Sequence, residues 1–205
     1  MPSLNYPNSE HSRFGYAFIK SGYEDVQDDL VRDFADNGLE VVHERRLVLP
    51  ARVIDYIYRD SMNEHFYPAM RQHLVDNPVT SMALYREGGD AQEVLLDLKF
   101  GRNGRESLRT KYAHPHQLVP DDEVRAWVEG NHPMQREVTR LLTQNNVFHT
   151  ADTVDEALRT LQLLGREYQG YYGATSPCAS RMGRLGLLFV ELEANDTMGE
   201  NYGEL

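Results

Sequence analysis

His149 follows the apolar pair Val147-Phe148 and precedes Asp152-Thr153-Val154-Asp155-Glu156, a stretch with the spacing of a helix-opening capping box. The chain thus places an imidazole just ahead of a helix N-terminus, whose free N–H groups and positive end favour an arriving phosphate. Neutral histidine can attack a phosphoryl group at pH 7 without first losing a proton, and the phosphoramidate formed is labile enough to pass the group on. The commoner arrangement is a partly buried histidine that donates to a backbone carbonyl. Position alone leaves both readings open.

A second group of residues suits anion binding. Between Lys99 and Lys111 lie Lys99, Arg102, Arg105, Arg109 and Lys111 against Glu106 alone, five bases and one acid, a net of +4 in a chain of -11. Arginine's planar fork fits phosphate oxygens, and each charged hydrogen bond is worth roughly 1.5 to 3 kcal/mol, so two or three would hold a polyphosphate. A solvated basic loop that balances nearby acids is the plainer alternative. Lysine is otherwise scarce: Lys20, Lys99 and Lys111 are the only three. Lys20 ends an apolar stretch, so its ammonium is expected to emerge at the edge of a sheet. The sequence holds neither a GxxxxGK[ST] phosphate loop nor a GxGxxG turn, so a bound phosphate would be held by side chains.

The elements that must position these groups read as follows. Tyr16–Lys20 is a buried strand ending at Ser21-Gly22. Val26, Leu30, Val31 and Phe34 recur at helical spacing, and Asn37-Gly38 supplies a left-handed stop. Leu39–Leu49 is a second strand, and Pro50 opens a helix through Ile54 and Tyr58. Phe66-Tyr67-Pro68 begins a short helix carrying Met70 and Leu74, followed by a strand from Val79 to Tyr85. Ala91–Phe100 is a helix that Gly101 ends. Val124, Trp127 and Val128, then Val138, Leu141 and Leu142, mark an inserted helical pair, and Ala157, Leu158 and Leu161 mark the helix after His149. Strands interleaved with helices give an α+β sandwich built on an antiparallel sheet.

Composition bounds the rest. A length of 205 residues, 40% hydrophobic and 26% charged, suits one globular domain with extensions or two small domains. The expected parts are a tail at 1–13, a domain at 14–166 interrupted by an insertion at 112–143, and an extension at 167–205. The net charge of -11 argues against a broad grip on nucleic acid or anionic lipid. No apolar run approaches a membrane span, and Met1 to Arg13 is polar with no apolar stretch behind a basic start, so a soluble cytoplasmic protein is expected. The single cysteine, Cys178, excludes an internal disulfide framework and a cysteine zinc cage, and it has no neighbouring histidine to activate it. His114-Pro115-His116 finds no second ligand pair, so no protein metal site is expected.

Taken in order, Ile19-Lys20, Tyr58, Phe66-Tyr67-Pro68, Arg109 and Asn146-Val147-Phe148-His149-Thr150-Ala151-Asp152-Thr153 resemble the nucleoside diphosphate kinases. The resemblance covers about Tyr16 to Leu161, apart from the insertion. It implies a ferredoxin-like α+β sandwich with a four-stranded antiparallel sheet, assembled into homo-oligomers. It also implies ping-pong transfer of the γ-phosphoryl of ATP or another nucleoside triphosphate through a phosphohistidine, with Mg²⁺ carried on the phosphates. On that resemblance His149 matches the phosphorylated histidine, Lys20, Tyr58, Arg109 and Asn146 match contacts to phosphate, sugar or histidine, and Phe66 matches the aromatic that stacks on the base. Lys99, Arg102 or Arg105 would stand in for the family's second arginine.

The sequence departs from the family at three places. Ser21-Gly22-Tyr23 replaces a Pro-Asp-Gly turn, Thr150-Ala151 replaces Gly-Ser, and Thr160 occupies the position of the glutamate that orients the histidine. These departures point to a specialised relative with an unusual phosphoryl acceptor, or to a catalytically silent nucleotide-binding or assembly module. A metal-dependent phosphohydrolase is a third reading.

Overall fold

A computed structural model of the chain describes residues 10–64, 67–113, 146–168 and 184–185. Four strands, β1 (Phe14–Ile19), β2 (Glu40–Leu47), β3 (Val79–Tyr85) and β4 (Phe148–Thr150), form one antiparallel sheet in the order β2-β3-β1-β4. Helices α1 (Gln27–Asp36), α2 (Ala51–Ile57), α3 (Tyr67–Asp76), α4 (Ala91–Phe100), α5 (Leu108–Lys111) and α6 (Val154–Glu167) connect and follow them. This is the ferredoxin-like α+β sandwich.

Helices cover both faces of the sheet, which is why β1 and β3 are buried at every residue and read as apolar runs rather than alternations. Side chains alternate along β1. Phe14, Tyr16 and Phe18 pack with Val53, Ile54, Met70, Leu74, Leu158 and Leu161 of α2, α3 and α6. Ala17 and Ile19 pack on the other face with Leu30, Phe34, Leu95 and Leu98 of α1 and α4. The expected helix stops hold. Gly38 and Gly101 sit at φ 76° and 68°, left-handed values that glycine adopts without a Cβ clash.

Several boundaries differ from the sequence reading. β1 begins two residues early and ends at Ile19, so Lys20 lies just past it, with its amide donating to the Val147 carbonyl at 3.0 Å. β1 is an inner strand, not an edge, and Lys20 is buried rather than emerging at the edge. β4 runs through the histidine, carried by the pairs Phe18/His149 and Ala17/Thr150. Within the expected tail, Glu10–Arg13 form a single 3-10 turn. Leu185, within the expected extension, is fully buried in the core of its own chain. The helical pair, Phe66 and most of the extension lie outside the described residues. Among the described residues no helix is long and apolar enough to cross a membrane.

Candidate active site

β4 sets the orientation of His149. Pairing opposite Phe18 puts the imidazole on the sheet face that carries Phe14, Tyr16 and Phe18, and its ring stacks on Phe18 with centroids 5.0 Å apart at 23°. The second wall comes from α2. Val53, Ile54 and Ile57 fix that helix on the same face, and Tyr58, its C-terminal cap, brings its phenol oxygen to 3.1 Å from Nδ1 of His149. The two ring centroids are 4.9 Å apart. The imidazole is 7% exposed, and its Nε2 is buried with no hydrogen-bond partner among the described residues. Thr160 Oγ1, on α6, is another buried atom in the same condition.

Lys20, Lys99 and Arg109 bring three cations close to the histidine, and Arg59 lines the same cavity. Lys20 continues the alternation of β1 two residues past Phe18, which aims it at the histidine's face, and it is only 3% exposed. Lys99, near the end of α4, donates to Asp152 Oδ1 at 3.0 Å and to the Thr150 carbonyl at 3.5 Å. Arg109, on α5, reaches the Phe148 carbonyl through Nε and an Nη at 3.4 and 3.3 Å, the long end of the hydrogen-bond range. Burial lowers the pKa of all three, and the neighbouring cations push Lys20 and Lys99 down further. Burial first, then Lys99, Lys20 and Arg109, hold His149 well below the usual histidine range. The imidazole is therefore neutral at pH 7.

These groups line one cavity of about 340 Å³, which also takes in Arg59, Asp60, Ser61, Phe100, Asn146, Asp152 and Glu156. Its volume falls in the range of small-ligand sites, and its converging cations call for an anion. Glu156 is 5% exposed, and burial raises its carboxyl pKa to about 7. Its side chain accepts from the Asp152 amide at 3.1 Å, while Thr153 Oγ1 accepts from the Glu156 amide at 3.1 Å. Thr153 is thus the N-cap of α6, and the Glu156 side chain reaches back past it to the residue before the cap, a variant of the expected capping box. Of the amides at the start of α6, that of Glu156 is taken by Thr153 Oγ1.

Of the residues singled out in the sequence, the fold brings Lys20, Tyr58, Arg109, Asn146 and His149 together. It does not bring in Arg105, which pairs with Asp97 at 2.8 Å and donates to Asn37 Oδ1 at 3.1 Å. Arg102 lies with its guanidinium 4.6 Å from the centroid of Phe100, a ring on the cavity wall. Phe66 is outside the described residues. Phe18 and Glu156 carry no site role in the sequence reading, whereas Lys99 belongs to its basic segment and is also a stand-in for the family's second arginine. Phe18 had a usable signal: its place two residues before Lys20 in a strand puts both on one face.

No cluster of three or more histidine, cysteine or carboxylate side chains able to hold a metal ion occurs among the described residues.

No family model matches the sequence, and no curated protein matches it. Among solved structures, the nucleoside diphosphate kinase of Aquifex aeolicus is similar at 11% identity and TM-score 0.48, over 73% of this chain and 92% of that one. The nucleoside diphosphate kinase of Encephalitozoon cuniculi is similar at 15% and 0.46, over 74% and 87%. A nucleoside diphosphate kinase family protein of Babesia bovis is similar at 14% and 0.48, over 74% and 86%. Likeness at this level carries no argument about what the cavity binds or does.

Proposed function

We propose that the cavity binds a nucleoside triphosphate and that His149 takes its γ-phosphoryl group as a transient carrier. The observation that carries this reading is a neutral imidazole on the wall of a cavity it shares with Lys20, Lys99 and Arg109. In the transfer, a nitrogen lone pair of His149 bonds to the γ-phosphorus as the bond to the β-γ bridging oxygen breaks, and the diphosphate leaves. A second phosphate acceptor then attacks the phosphorus, and the imidazole is released unchanged. Lys20 and Arg109 offset the charge that develops on the phosphoryl oxygens. This reading takes Nδ1, the ring nitrogen beside the hydroxyl of the cavity-lining Tyr58, as the attacking atom.

A second reading, a nucleotide-binding module without transfer, is favoured by one observation. Attack through Nδ1 requires the proton on Nε2, where no acceptor stands among the described residues. An unpartnered buried N–H costs more than an unpartnered lone pair, so the resting proton belongs on Nδ1, donated to the Tyr58 oxygen. Each turnover then begins with a shift of tautomer, which slows transfer without abolishing it.

Isotope exchange separates the two. Labelled ADP incubated with ATP and the protein, with no other acceptor, becomes ATP if a phosphoryl-enzyme forms and reverses. Binding of both nucleotides with no exchange supports the silent module.

A further inference from the structure

The strand that holds His149 has three residues and lies at the edge of the sheet, so little backbone pairing keeps it in place. Its ladder runs through the pairs Ile19/Phe148, Phe18/His149 and Ala17/Thr150. In this register Tyr16 and Ala151 come next, and they should exchange two backbone hydrogen bonds. One is present but long, from the Ala151 amide to the Tyr16 carbonyl at 3.4 Å. In place of the other stands a side chain. The Tyr16 amide donates to Oε1 of Gln92 at 3.1 Å, and Nε2 of Gln92 donates to the Ala151 carbonyl.

The carboxamide of Gln92 is thus inserted between β1 and the end of β4 like a peptide unit, accepting from one strand and donating to the other. Its second N–H goes to Thr150 Oγ1 at 2.6 Å, and that hydroxyl donates to the Tyr16 carbonyl at 2.8 Å. Gln92 is 1% exposed and Thr150 fully buried, so water does not compete for these bonds. The chain makes room for the insertion at Gly15. A Cβ there would lie 2.8 Å from Leu95 Cδ1 and 3.3 Å from Gln92 Oε1.

We propose that Gln92, acting with Thr150, is a positioning residue for His149. This rests on the phosphoryl-transfer reading. Phosphorylation adds roughly 1.5 to 2 negative charges to a side chain of this short strand, and a misplacement of about 1 Å can cost roughly 100-fold in rate. The Gln92 insertion clamps the strand one residue beyond Thr150, while the Lys20–Val147 bond clamps it one residue before Phe148. The imidazole stays in line between the two clamps.

The test uses the full chain with Gln92→Leu, similar in size without the amide, and the pair Thr150→Ser and Thr150→Val, which keep or remove the hydroxyl. Amide hydrogen exchange is followed at His149 to Ala151, together with the single-turnover rate of adduct formation from Mg-ATP and the Kd for ATP. In Gln92→Leu, exchange at Ala151 should quicken at least roughly ten-fold and adduct formation should slow roughly 10- to 100-fold, with Kd within about three-fold. Thr150→Ser should match the unaltered protein, and Thr150→Val should move in the direction of Gln92→Leu. Unchanged exchange in Gln92→Leu and Thr150→Val overturns the proposal, as does a parallel fall of rate and affinity. Should the unaltered protein form no adduct, the transfer reading fails by itself, and the exchange data still decide whether Gln92 clamps the strand.

Discussion

The Tyr58 phenol oxygen stands 3.1 Å from Nδ1 of His149, while Nε2 of the same ring is buried beyond reach of any described partner. One nitrogen is oriented and the other is not, which leaves the tautomer to the tyrosine. The resting proton is expected on Nδ1, and ¹⁵N chemical shifts of the imidazole at pH 7 measure this directly.

On the resemblance carried by the sequence, Thr160 would take the place of the family's orienting glutamate, and its Oγ1 is unpartnered among the described residues. Thr160→Glu should supply an anionic acceptor for an Nε2 proton and move the tautomer toward the attacking form. Loss of an orienting anion costs up to about 10⁴ in triad-like sites, so even partial restoration should speed phosphorylation at least roughly ten-fold. A rise in single-turnover rate with unchanged nucleotide affinity is the expected outcome, with the thermal midpoint as a check on folding.

His149 and Glu156 should tilt stability with pH in opposite directions. As pH falls through about 6.5, the unfolded chain takes up a proton that the buried imidazole refuses, so His149 makes folding less favourable in acid. Glu156 holds its proton up to about 7 when folded but only to about 4.5 when unfolded, so its contribution weakens as pH rises through that window. Denaturant titrations between pH 4.5 and 7.5 should show Glu156→Gln losing the second slope and keeping the first. The rate of His149 phosphorylation should show no histidine titration between pH 6 and 8, because the imidazole is neutral throughout.

Lys20 is a buried cation whose pKa burial drives well down. Lys20→Met removes that desolvation cost, and a well-packed apolar replacement of a buried charge is often neutral or stabilising. The thermal midpoint should not fall. Affinity for inorganic tripolyphosphate should drop roughly 10- to 100-fold, the loss of one charged hydrogen bond of roughly 1.5 to 3 kcal/mol.

The legible part of the site is the part written in local pattern. Apolar runs, helical spacing and the Gly38 and Gly101 stops gave the elements, and the charge contrast between Lys99 and Lys111 together with the family-like order gave Arg109 and His149 as candidates. What stayed hidden depends on contacts between segments distant in sequence. Arg102 and Arg105 sit in the same basic segment as Arg109, yet Asp97 and Asn37 draw Arg105 away while α5 turns Arg109 inward. Glu156 reads as a helix cap in the sequence. Only the packing of α6 on the sheet makes it a cavity wall as well. Gln92 carries no sequence signal, since its role appears only where β4 stops pairing with β1.

The most direct measurement is intact mass after brief incubation with Mg-ATP, taken before and after mild acid. One acid-labile phosphoryl group on the unaltered chain, absent in His149→Ala, is the expected result. Nucleotide bound to the unaltered chain with no adduct at any time contradicts the account.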